Sequence, residues 1–188
     1  MNFLEVFLVG VGLSMDAFAV SICKGLSTQK LTWKNIITVG IYFGLFQGLM
    51  PLIGFLLGAN FESLIKNFDH WIAFVLLFAI GFNMIKEARG EEACPVGGFD
   101  FKTMIPLAVA TSIDALAVGV VYACTHGKGF PILSAVSVIA LTTLVLSSIG
   151  VKVGNVFGAK YKAGAEIFGG SVLIIMGIKI LIEHLFGL

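Results

Sequence analysis

The sequence predicts an all-α integral membrane protein: six transmembrane helices arranged as two inverted-topology three-helix repeats, with both termini outside. Three observations carry that prediction. First, 58% of the 188 residues are hydrophobic and only 12% are charged, about half the ~25% charge of a soluble domain. Charges this sparse cannot keep so apolar a chain in water, which excludes disordered, collagen-like and disulfide-framework classes and argues against a soluble enzyme. Second, the apolar residues collect into six segments near the ~20-residue length of a spanning helix, too long for the ~9–11-residue alternating strands of a barrel. Third, the basic residues gather on one side of those segments. The net charge of +1 offers no footprint for a nucleic-acid partner.

The first span covers 3–23. Its start, Met1-Asn2-Phe3-Leu4-Glu5, has no basic residue, so it reads as a retained helix rather than a cleaved signal peptide. It carries Asp16 near its centre, between the small residues Gly12 and Ala19. The second span, 35–58, contains Gln47, Pro51 and a run of glycines that includes Gly40, Gly44, Gly48, Gly54 and Gly58. Pro51 is expected to break this helix and free backbone carbonyls; the glycines fit bending or tight packing equally well. The third span, 70–87, holds the amide of Asn83. The longest polar stretch follows and joins two halves: residues 1–90, a linker at 91–102, and residues 103–188.

The fourth span, 103–124, is expected to be continuous, with Asp114 at its middle and Thr111 one turn before it. The fifth, 131–151, carries Ser147. The sixth, 166–186, opens on Glu166, which fits either a mouth residue or a solvated helix start. It also contains Lys179, which either snorkels to the surface or pairs with an aspartate when no metal is bound.

Orientation follows from the basic residues. Lys24, Lys30 and Lys34, then Lys86, Arg89 and Lys102, then Lys152, Lys160 and Lys162 fall on one side, against Lys66 and Lys128 on the other. That asymmetry makes the first, third and fifth loops cytoplasmic.

The halves repeat. Ser14-Met15-Asp16-Ala17-Phe18-Ala19-Val20 and Ser112-Ile113-Asp114-Ala115-Leu116-Ala117-Val118 agree at five of seven positions, at an offset of 98. Gly54 and Gly58 match Gly154 and Gly158 at 100, and Gly81 and Glu87 match Gly177 and Glu183 at 96. Three helices per copy is an odd number, so the second copy enters the membrane from the opposite side. This transporter design places the site near the midplane between the copies.

An aspartate at a helix centre costs ~2.5–3.5 kcal/mol to insert, and aspartate is too short to snorkel ten ångströms or so to either surface. Two such residues in matched positions point to an ion site. Their two charges suit a divalent cation. Without it, close carboxylates cannot both ionise, so metal and protons compete for the same oxygens. Further ligands come from other spans, waters or freed carbonyls; Gln47 and Ser147 correspond at an offset of 100, and Asn83 and Thr111 are also polar. Each is either a ligand or an interhelical hydrogen bonder. His70, His126 and His184 fall near the outer surface. Cys23, Cys94 and Cys124 are scattered and odd in number, and read as free thiols. Carboxylate, amide and hydroxyl oxygens suit Mg²⁺, Ca²⁺ or Mn²⁺.

The stretch Gly12-Leu13-Ser14-Met15-Asp16-Ala17-Phe18-Ala19-Val20-Ser21 resembles the first-helix motif of the bacterial MntP-type manganese efflux pumps, within the LysE transporter superfamily. Ala110-Thr111-Ser112-Ile113-Asp114-Ala115-Leu116-Ala117-Val118-Gly119 is similar to that family's fourth-helix motif, and Pro51-Leu52-Ile53-Gly54 and His70-Trp71-Ile72-Ala73-Phe74 also match its pattern. The resemblance spans essentially the whole chain. It implies export of Mn²⁺ across the bacterial inner membrane and maps the family's two intramembrane aspartates onto Asp16 and Asp114. The chain departs from some relatives, which carry an acidic residue where Gln47 stands.

The expected function is therefore a multi-pass secondary transporter, not an enzyme, with Mn²⁺ as substrate and no cofactor. Proton entry as the coupled flux follows from the shared-carboxylate argument. No nucleotide-binding GxxxxGK[ST] motif is present, which argues against ATP coupling. Rival readings are export of another divalent cation, export of a small organic cation or amino acid, a channel-like pore, a membrane enzyme, and a structural subunit. A homodimer is compatible with so small a transporter.

Overall fold

A computed structural model describes residues 3–26, 28, 30–65, 69–87, 98–126, 131–157 and scattered positions between 164 and 182. All regular structure among them is helical: α1 Phe3–Leu26, α2 Trp33–Ile65, α3 Asp69–Glu87, α4 Phe101–Ala110, α5 Ile113–His126 and α6 Ile132–Phe157. Every described position from 167 to 182 is also helical, so each of the six predicted segments contains helix. Among the described residues, three helices are long and apolar enough to cross a membrane, Phe3–Leu26, Trp33–Gly58 and Ile132–Phe157, and α4 and α5 taken together make a fourth, bent candidate.

That bend corrects the expectation of a continuous fourth span. The helix breaks by 42° between Ala110 and Ile113. The Thr111 hydroxyl donates to the carbonyls of Leu107 and Ala108, and the Ser112 hydroxyl to that of Ala108. Such local side-chain bonds compete with the helical ladder. The Ser112 N–H turns back to Val109, a tightened 3₁₀-type bond at 3.1 Å. The expected break at Pro51 does not occur; α2 runs through it.

Helix directions follow from which residues meet. Along α1 and α6, Gly10 meets Ile139, Ser14 meets Thr143 and Ile22 meets Gly154, so the two run parallel. Along α2 and α5, Gly54 meets Leu116 and Gly58 meets Ala123, again parallel. Along α2 and α6, Gly40 meets Ser148 while Gly48 meets Val136 and Ala140, so these are antiparallel. Helices α1 and α6 therefore point one way, and α2 and α5 the other. Among the described residues the pairings cross in sequence: α1 packs mainly on α6, and α2 equally on α5 and α6, whereas α1 and α2 barely touch.

The crossings are close because small residues sit there. A β-carbon on Gly154 would overlap the Ile22 carbonyl, and one on Gly54 would overlap the Leu116 carbonyl.

The apolar interior divides into two clusters. One gathers Ala17, Val39, Phe43, Met104, Ala108 and Val151, with Val20, Phe99 and Leu107 packed on it. It lies toward the end of the bundle where Lys34 and Lys102 begin their helices and Lys152 ends its own. The other gathers Val6, Val9, Leu13, Phe55, Leu77, Val118, Tyr122 and Ile139 at the opposite end.

Two sequence expectations fail at the lysine-bearing end. Lys24 is not a loop residue; it forms part of the last turn of α1 and is 0% exposed. Cys23 is disulfide-bonded rather than free, while Cys124 is buried and outside any disulfide. At the start of α4, Asp100 accepts a hydrogen bond from the Thr103 hydroxyl at 2.8 Å, which holds its carboxyl below the usual range.

Candidate functional site

Between the two apolar clusters lies a layer of buried polar side chains: Ser14, Gln47, Thr111, Ser112, Thr143 and Ser147. Asp16 and Asp114, both half-buried, belong to the same level. Each acid sits among small residues of its own segment, Gly12 and Ala19 for Asp16 and Ala110 and Ala117 for Asp114, and α2 and α6 bring in Gln47, Thr143 and Ser147.

Asp16 sits within the unbroken α1. Asp114 stands in the first turn of α5, immediately after the break, and its Oδ1 accepts the Ala115 N–H at 2.8 Å. A carboxylate there meets N–H groups that have no carbonyl one turn back, and the positive end of the helix dipole. The two matched aspartates are thus held by different backbones.

Gln47 reaches from α2 to α1, where its Nε2 donates to the Leu13 carbonyl at 3.0 Å, one turn before Asp16. The side chain is 0% exposed, and its Oε1 has no hydrogen-bond partner. Four residues on, Pro51 cannot supply the N–H that normally bonds the Gln47 carbonyl. The proline that fails to break α2 still removes a helical bond where an oxygen is useful.

Ser147 occupies the matching place on α6. The described helix serines 14, 21, 112, 137, 148 and 171 each donate to the carbonyl four residues back. Ser147 does not; its Oγ is buried with no hydrogen-bond partner. A buried hydroxyl left so costs ~1–3 kcal/mol. One turn earlier, Thr143 and Ser14 share a contact of 2.7 Å between α6 and α1. Each hydroxyl has a single proton, so the pair trades it among that contact and the carbonyls of Gly10 and Ile139.

Thr111 was a candidate ligand from sequence, but its hydroxyl is engaged with two carbonyls of its own helix. Asn83 lies on α3, with its side chain outside the described residues, as are Glu166 and Lys179 altogether. Among the described residues, no three His, Cys, Asp or Glu side chains gather into a metal-sized group. A cation held here therefore draws on neutral oxygens beside the two acids. Sequence reasoning missed Ser14 and Thr143, whose facing depends on the α1–α6 register, and two large buried side chains, Lys24 and Tyr122. The repeat offset of 98 links that last pair and could have flagged it.

Comparison with known proteins shows the family. The family described as "Putative manganese efflux pump" matches residues 30–181. Proteins named "Putative manganese efflux pump MntP" are similar over nearly their whole length. That of Desulfitobacterium hafniense is 58% identical, covering 98% of this chain and 97% of the relative. That of Acetivibrio thermocellus is 50% identical over 98% and 93%, and that of Campylobacter jejuni 52% over 99% of each. No solved structure matches. A multi-pass helical chain that matches this profile over most of its length, and these relatives from end to end, belongs to the MntP family of manganese efflux pumps.

Proposed function

We propose that this chain is a secondary transporter that exports Mn²⁺ from the cytoplasm across the bacterial inner membrane in exchange for protons. The ion is held between Asp16 and Asp114, at the interface of two inverted three-helix repeats, residues 1–90 and 103–188, joined by the linker 91–102. The observation that carries this reading is the pair of buried oxygens, Gln47 Oε1 and Ser147 Oγ, without hydrogen bonds at matched positions of the two halves. Unsatisfied oxygens in the polar layer between two apolar clusters are what a hard cation completes.

The crossed packing supports the repeat. At the offset of 98, Ala17, Val20 and Met104 in one cluster answer to Ala115, Val118 and Val6 in the other; at 100, Val39 answers to Ile139. Exchange of the halves exchanges the clusters.

The chemistry follows. Asp16 and Asp114 contribute the charge that draws Mn²⁺ out of water, while Gln47, Ser147 and the Gln47 carbonyl contribute neutral oxygens. As the halves rock and the ion leaves outward, two close carboxylates no longer share a cation, so a proton binds in its place. The reset carries that proton inward. Acid outside therefore favours release and alkali inside favours loading.

The test is Mn²⁺ uptake into inverted vesicles, with a pH-sensitive dye in the lumen. The parent protein should accumulate Mn²⁺ and alkalinise the lumen; Asp16→Asn and Asp114→Asn should do neither, and cells relying on them should die in excess Mn²⁺. Uptake by both variants at the parent rate would show that the ion site lies elsewhere. Mn²⁺ uptake without proton movement would remove the exchange.

A further inference from the structure

We infer that Lys24 and Tyr122 are the two gates of the ion path, Lys24 closing it toward the lysine-bearing end and Tyr122 toward the opposite end. Residues 16, 20 and 24 lie on one face of α1, and residues 114, 118 and 122 on one face of α5. Each gate therefore stands two turns beyond its aspartate, with a valine between. The offset of 98 relates all three pairs: Asp16 to Asp114, Val20 to Val118 and Lys24 to Tyr122. Because the helices run in opposite directions, these equal displacements lead to opposite ends of the bundle.

Both gates are shut in this structure. Lys24 is 0% exposed and Tyr122 2%, and both rank among the largest fully buried side chains. The Lys24 ammonium donates to the Gly98 carbonyl at 3.1 Å and lies 5.9 Å from the centre of the Phe99 ring. Phe99 itself packs on the apolar cluster beside Val20. Lys24 thus closes its end against the linker between the halves. Around it, the Asn155 amide donates to the carbonyls of Gly25 and Thr28 and ties α6 to the same end of α1. Tyr122 is a member of the other cluster, edge-on to the His126 ring at 6.4 Å.

The two gates differ in how they open. A buried ammonium gains on reaching water, so release of Gly98 and Phe99 lets Lys24 swing out and removes a positive charge from the path of an incoming cation. Tyr122 carries no charge across the path and closes by bulk. The cytoplasmic gate is thus controlled by the linker, and the outer gate by packing.

This inference rests on the proposed transporter with an ion between Asp16 and Asp114, but labelling needs no metal and tests the gates by themselves. In a background with Cys23, Cys94 and Cys124 replaced by serine, reporters Val20→Cys and Val118→Cys are treated with a membrane-impermeant methanethiosulfonate. Lys24→Ala should speed labelling of the Val20→Cys reporter from the cytoplasmic face by about tenfold, a shift in the open population worth ~1.4 kcal/mol. Labelling of the Val118→Cys reporter from outside should stay unchanged. Tyr122→Ala should do the reverse. Lys24→Met keeps the bulk but loses the gain on reaching water, so it should label no faster than the parent, and Tyr122→Phe should label at the parent rate, which separates gating from unfolding. Equal acceleration at both reporters, acceleration in the bulk-preserving variants, or no acceleration in an alanine variant overturns the assignment. If labelling follows expectation while Asp16→Asn still exports Mn²⁺, the gates stand and the ion site falls.

Discussion

Ser147 shows most plainly what a single residue can report. Its neighbour Ser148 bonds the carbonyl one turn back, and Ser147 does not. A polar group kept for fold stability would be satisfied, and its removal would cost. Ser147→Ala should instead leave the melting temperature unchanged or raise it, because an unsatisfied buried hydroxyl is lost. The same variant should weaken Mn²⁺ binding about tenfold, ~1.4 kcal/mol for one lost oxygen ligand. Calorimetric titration and thermal unfolding of the purified protein check the two together; a drop in stability with unchanged binding would make Ser147 structural. At this scale the aspartates were legible, since a charge inside an apolar run stands out. Ser147 and Gln47 were legible as polar residues, but their unsatisfied oxygens were not, because satisfaction depends on partners far along the chain. Lys24 was misread for the same reason: its burial depends on Gly98 and Phe99, more than seventy residues away.

Among the elements, the informative contrast is between α1 and the α4–α5 pair. They share a motif, yet only the second copy bends. At the offset of 98, Leu8 and Leu13 of α1 answer to Pro106 and Thr111. The proline lacks an N–H and the threonine offers its hydroxyl to the ladder, so both differences weaken the helix ahead of Asp114. A hydropathy pattern registers apolar length and is blind to this, which is why the span was found and its break was not. At Pro51, by contrast, α2 runs on intact, with the proline's backbone carbonyl set against Gly119. The crossings give a prediction in kind. Gly54→Val and Gly154→Val should each destabilise the fold by ~1–3 kcal/mol or more, through overlap with a backbone carbonyl that cannot move aside. Their effects should be similar, because the two sites exchange with the halves. The amount of folded protein extracted from membranes in mild detergent measures both; a harmless Gly154→Val would refute the close crossing.

For the molecule as a whole, an all-helical chain with several apolar spans was readable from apolar length, whereas the partnership of the helices was not. Charge patterning is local, but the pairing of α1 with α6 is a property of the finished bundle. Sidedness itself is open to direct measurement. In a cysteine-free background, Lys128→Cys should react with an impermeant maleimide in intact cells, and Lys30→Cys only after permeabilisation. The reverse pattern would invert the orientation and turn an exporter's cytoplasmic gate into its outer one.

The crossed packing also has a consequence for how the protein is made. Ser14 finds its partner Thr143 only 129 residues later. At ~5–20 residues per second of synthesis, α1 waits roughly 6–26 s with a carboxylate at its centre and no lasting neighbour. Among the described residues, α1 and α2 keep their main contacts with α5 and α6. Asp16 therefore stays in the membrane without its α6 packing until that helix emerges.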